Sequence, residues 1–145
     1  MEKTNHYKRR LLKLASFLDA LPPEKFNYRR WTYNPKTREG ISLDDLNVCG
    51  TTACALGWAT SIKEFKDLGL SLDTTWYHPC LISGGDKYAA GNKIFGLDTY
   101  EFEYLFYPCN PSLDHGNLPD APLGNATAKE VAEHIRNFIK YKYKN

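Results

Sequence analysis

Asn47-Val48-Cys49-Gly50-Thr51-Thr52-Ala53-Cys54-Ala55-Leu56-Gly57-Trp58-Ala59 packs two thiols, a turn glycine, a threonine pair and a run of small residues into one segment. It reads as a turn feeding a helix. Gly50 accepts a positive φ without steric penalty and suits the reversal. Thr51 or Thr52 then caps the helix, its hydroxyl accepting from a backbone N–H two or three residues on. Cys54, Trp58, Ile62 and Phe65 follow at helical spacing and predict one buried stripe. Lys63 to Leu68 extend the same helix, and Gly69 ends it. Gly57 costs about 1 kcal/mol against alanine inside a helix, so close approach of another element is the reason to find it beside Ala55 and Ala59. Such a helix belongs at the centre of a bundle, between the first and last helices.

Working outward, Tyr7, Leu11, Leu14, Leu18 and Leu21 recur at helical spacing and predict a first helix from Asn5 to Leu21, stopped by Pro22-Pro23. Phe26 to Tyr33 alternates aromatic and polar residues, a strand pattern. With the turn Asn34 to Gly40 and a return through Ile41 and Leu43, it outlines a short two-stranded β ribbon near Tyr28–Leu43. Ser71 to Gly85 reads as irregular. A helix over Lys87 to Phe95 should stop at Gly96, and Asp98-Thr99-Tyr100-Glu101 is a capping-box pattern opening a helix to Phe106. Tyr107 to Ala126 holds Pro108, Pro111, Pro119 and Pro122 and reads as a long loop, a length that points to function or mobility. Thr127-Ala128-Lys129-Glu130 is a second capping box. It starts a last helix with Val131, Ile135, Phe138, Ile139 and Tyr143 inward and His134 half-exposed. The expected fold is mainly α: a compact helical bundle forming one globular domain over 1–145, with a short two-stranded β ribbon.

Composition narrows the classes. With 145 residues the chain can bury a core without covalent staples. A net charge of +2 argues against both a nucleic-acid footprint and an acidic mimic. The 14% aromatic share, with ten tyrosines, exceeds what a core this size absorbs and points to partner-facing rings. No stretch approaches a membrane span, and Lys13, Ser16 and Asp19 interrupt the N-terminal run too early for a signal peptide. A cytoplasmic protein whose four cysteines are mostly reduced thiols is the expectation.

Cys49-Gly50-Thr51-Thr52-Ala53-Cys54-Ala55-Leu56-Gly57-Trp58-Ala59 resembles the core motif of a group of uncharacterised small bacterial and phage proteins. They share Cys-Gly-Thr-x-Ala-Cys-x-x-Gly-Trp/His-Ala. Pro22 to Asn27 leading to Trp31, Lys93 to Leu97 with Leu105-Phe106, and Thr127 to Ile135 fit the same outline. The resemblance implies one compact domain and a prokaryotic or phage source. It implies no particular chemistry.

Any chemistry must therefore come from the residues themselves. Cys49 precedes a helix start, where aligned N–H groups lower a thiol's pKa and stabilise an oxyanion, so it is the candidate nucleophile. His78 or His115 would be its base, and Asp114 would orient His115. The competing and favoured reading seats Cys49 in a small pocket and Cys54 in the core. Zinc would need Cys49-x4-Cys54 with His78-x-Cys80, and Cys109 and His115 as substitutes; Cys54 on a helix stripe argues against it, so neither metal nor cofactor is expected. Trp31 among basic residues, including Arg29, Arg30 and Arg38, suits stacking on single strands, but seventeen acidic residues nearly cancel nineteen basic ones.

These readings favour a non-enzymatic protein-binding module, an interaction or inhibitor protein whose partner is another protein. Trp31, Trp76 and Tyr107 are its candidate binding residues. A cysteine-dependent hydrolase or transferase using Cys49 is the first alternative, and a nucleic-acid-binding accessory protein is the second.

Overall fold

The computed structural model describes residues 2–28, 53–72, 78–107 and 125–143. Helix α1 spans Glu2–Ala20, and a 3-10 turn follows at Pro23–Lys25. The motif enters as α2 (Ala55–Ala59) and α3 (Lys63–Asp67). Strands β1 (Leu70–Leu72) and β2 (Pro79–Leu81) pair antiparallel, with Ser71 opposite Cys80, and lead into α4 (Lys87–Phe95), α5 (Thr99–Phe106) and α6 (Ala128–Lys142). The chain is mainly α with a two-stranded ribbon, as its patterning predicts. The ribbon, however, lies in the stretch that reads as irregular. The predicted ribbon around Tyr28–Leu43 falls outside the described residues beyond Tyr28.

Helix α1 buries Leu11, Leu14, Ala15 and Leu18, one apolar face at three- and four-residue steps. Helix α6 answers with Val131, Ala132, Ile135 and Phe138, all buried. Among the described elements, these two helices pack most extensively on each other. Asp19 and Arg136 form an ion pair toward one end. At the other, Tyr7 packs on Gly96 while Lys142 donates to the Gly96 carbonyl at 2.8 Å. The helices therefore run antiparallel and in direct contact, which corrects the expected placement of the motif helix between them. Helix α2 lies to one side, where Trp58 packs on Phe17 with ring centroids 6.0 Å apart.

The motif also departs from one continuous helix. Thr60 donates its hydroxyl to the Gly57 carbonyl and Ser61 donates to the Trp58 carbonyl at 2.7 Å. Such side chains compete with the backbone ladder, and Ile62 takes an extended conformation (φ −83°, ψ 122°) before α3 begins. Ile62 and Phe65 stay buried, but on separate elements from Cys54 and Trp58.

Helices α4 and α5 meet at a tight corner. Gly96 sits at φ +66° in the left-handed region, and its N–H donates to the Asn92 carbonyl. Gly91 lets α5 approach: the Phe102 ring occupies the space a Cβ would need. Both capping boxes form as read. Glu101 N–H donates to Asp98 at 2.8 Å, Glu130 N–H donates to Thr127 at 3.1 Å, and each glutamate carboxylate accepts from its cap residue's N–H. Among the described residues no helix is long and apolar enough to cross a membrane.

Candidate functional site

The described half of the cysteine motif is consumed by folding. Cys54, not Thr51 or Thr52, is the N-cap of α2: its backbone is extended and its Sγ accepts from the Gly57 N–H at 3.5 Å. The thiol is buried, and the loss of solvent pushes its pKa up to about 12 against the opposing pull of backbone N–H groups. A thiol so placed stays protonated at neutral pH and is a poor nucleophile. Trp58 follows suit, donating Nε1–H to the Lys25 carbonyl at 2.9 Å.

This tryptophan bond reinforces an isolated parallel bridge between Phe26 and Ala53. Asn27 N–H donates to the Ala53 carbonyl at 3.0 Å, and Ala53 N–H donates to the Lys25 carbonyl at 3.1 Å. Next along the chain, buried Tyr28 donates its hydroxyl to the Leu105 carbonyl at 3.1 Å and lies 3.4 Å from that of Tyr107. Burial raises the pKa of this phenol well above its ordinary value. Residues 28, 53 and 107 are thereby held in one place. They flank the stretches 29–52 and 108–124, which carry Trp31, Cys49, Asp114 and His115.

Those four residues, with Trp76 and Cys109, lie outside the described residues. His78 is exposed just before β2, and Cys80 is half-buried within that strand. Tyr107 is half-buried as the C-cap residue of α5. Its hydroxyl lies 3.1 Å from that of Tyr88, which donates to Glu103 at 2.9 Å. Tyr88 is held protonated by burial first and by its bonds to Tyr107 and Glu103 second, its pKa raised above the phenolic range. Among the described residues, no group of three or more histidines, cysteines or acids could hold a metal ion.

Two features escaped the sequence reading. His134 is buried, 5% exposed, with Nε2 2.7 Å from the Tyr104 carbonyl, which corrects its expected place on the surface. The signal was present: Val131, His134, Ile135 and Phe138 share one helical face. The Tyr88–Glu103–Tyr107 cluster had no such signal, because α4 and α5 bring its members together only in space. Comparison with protein-family models, curated proteins and solved structures returns no match.

Proposed function

We propose that this chain is a non-enzymatic protein-binding module, an interaction or inhibitor protein of prokaryotic or phage origin that works in the cytoplasm. The observation that carries the reading is a pair of large apolar side chains held in the open on rigid supports. Ile82 is 74% exposed, directly after β2, with its N–H bonded to the Gly69 carbonyl at 2.9 Å. Tyr100 is 69% exposed in the first turn of α5, which the Asp98–Glu101 capping box locks. Anchors whose backbone is already hydrogen-bonded in the unbound state have less conformational freedom to lose on docking, and tyrosine is prominent among the residues that dominate interfaces. The burial of Cys54 supports the same side, since this thiol of the motif serves the fold. The origin rests on the motif's resemblance alone.

Immobilised protein should capture one partner in stoichiometric amount from a bacterial lysate. Ile82→Asp and Tyr100→Ala, each with an unchanged thermal midpoint, should weaken that capture. A partner retained equally by both variants, or no stoichiometric partner at all, overturns the reading.

A further inference from the structure

A shallow groove of about 410 Å³ runs between α1 and α3, lined by Arg10, Lys13, Lys63, Glu64, Asp67 and Leu68. Arg9 lies at its edge and clasps Glu64 with two nitrogens, at 3.0 and 2.8 Å. Lys13 donates to the same carboxylate at 3.2 Å, and Lys63 to Asp67 at 2.8 Å. Four cations thus face two carboxylates, a surplus of two positive charges.

The arrangement contains a spare partner. Arg10 is mostly buried, its side chain 14% exposed, and Nη1 donates to the Ile94 carbonyl at 3.0 Å. Its Nε is buried with no hydrogen-bond partner among the described residues, yet stands 3.7 Å from Glu64 Oε2. Closing that gap to hydrogen-bond range takes less than one ångström. Arg9 and Lys13, by contrast, are about half exposed, where a pair with Glu64 holds weakly. Glu64 can therefore release its two outer cations and still end with a partner.

Resting on the protein-binding reading above, we propose that this groove docks an acidic segment of the partner protein, whose carboxylate takes Arg9 and Lys13 from Glu64 while Glu64 moves onto Arg10 Nε. The pattern favours a peptide over a nucleic acid. A strand of DNA presents a negative charge every ~3.4 Å, and Glu64 and Asp67 would oppose such a continuous run. A peptide spaces its carboxylates and can rest an apolar side chain on half-buried Leu68.

The probe is a fluorescein-labelled Leu-Glu-Glu-Leu-Glu-Glu peptide, titrated by anisotropy at low and high salt beside a labelled oligothymidylate. Glu64→Gln, which unlocks both outer cations, should tighten peptide binding about threefold, the scale of an exposed ion pair. Glu133→Gln, the same charge change on an exposed residue of α6, should leave it unaltered. Arg9→Glu with Lys13→Glu should cost at least about tenfold. No binding of the peptide, an equal response to Glu64→Gln and Glu133→Gln, or tighter binding of the oligothymidylate overturns the groove. Captured partner lost from Ile82→Asp but retained by the Arg9/Lys13 variant would overturn the groove and leave the binding function standing.

Discussion

His134 in α6 stands 2.7 Å through Nε2 from the backbone carbonyl of Tyr104 in α5, with the two rings 4.4 Å apart. A carbonyl has no proton to give, so Nε2 carries the hydrogen. Tyr104 belongs to the last turn of α5, where carbonyls lack partners within the helix. Tyr28 performs the same service for Leu105, so side chains from elsewhere in the fold close this helix end. Helix α4 is treated alike: Arg10 from α1 bonds the Ile94 carbonyl and Lys142 from α6 bonds that of Gly96. Cations there also oppose the negative end of the helix dipole.

Replacing His134 with alanine should orphan a buried carbonyl and open a cavity, for a combined loss of about 2–4 kcal/mol. Urea unfolding of the variant would measure it. His134→Gln, which retains an N–H donor, should recover part of the loss. Equal destabilisation by both would mean that packing alone carries this residue.

Gly91→Ala tests the approach of α5 to α4. Alanine should gain about 1 kcal/mol of helix propensity, but its Cβ would collide with the Phe102 ring. Overpacking of about 1–3 kcal/mol should prevail, giving a net loss. Combined with Phe102→Leu, the substitution should cost less than the two separate effects summed.

Cys54 should resist iodoacetamide in the native protein at neutral pH and react once denaturant is added. Its folded-state pKa of about 12 exceeds that of an unfolded cysteine, near 8.5. Its contribution is therefore complete below about pH 8.5 and declines as pH rises toward 12. Cys54→Ala should lose the Gly57 cap, about 0.5–2 kcal/mol, and should flatten the alkaline decline in stability. Rapid native labelling of Cys54 would refute its seating. Labelling of Cys49 faster than a free thiol near pH 7 would instead favour the cysteine-enzyme alternative.

Strong acid should loosen the side-chain contact between α1 and α3. Hydrogen bonds from Arg9, aided by Lys13, pull the Glu64 pKa down to about 2, below the ~4.3 of an unfolded glutamate. The stabilisation is complete above about pH 4.3 and disappears as pH falls toward 2. Because the pair is partly exposed, its worth is small, about 0.2–1 kcal/mol, and salt should reduce it. Protection of the α3 amides, taken relative to the intrinsic exchange rate at each pH, should fall across this range in the wild type and change little in Glu64→Gln.

Much of the helical skeleton was legible locally. Lys87 to Phe95, the stop at Gly96, and the capping boxes at Asp98 and Thr127 all occur where the residues indicate. Each signal acts within one turn of the chain, through a cap hydrogen bond, a left-handed glycine or a helical stripe. The motif is less legible. Thr60 and Ser61 turn their hydroxyls onto the backbone and divide the helix, and Cys54 serves as the cap that a threonine was expected to provide.

The chain's own order of residues determined that it would be mainly α, and where α4, α5 and α6 begin, because caps and apolar periodicity operate among near neighbours. Tertiary structure alone decided the rest. The ribbon consists of two three-residue strands, too short to carry a period, and exists because Leu70 and Leu81 are brought opposite each other. Direct packing of α1 on α6, the burial of His134, and the gathering of Arg9, Lys13 and Glu64 into one groove join residues between 30 and 117 positions apart. No local rule acts over such separations; shape and charge matched across helices do.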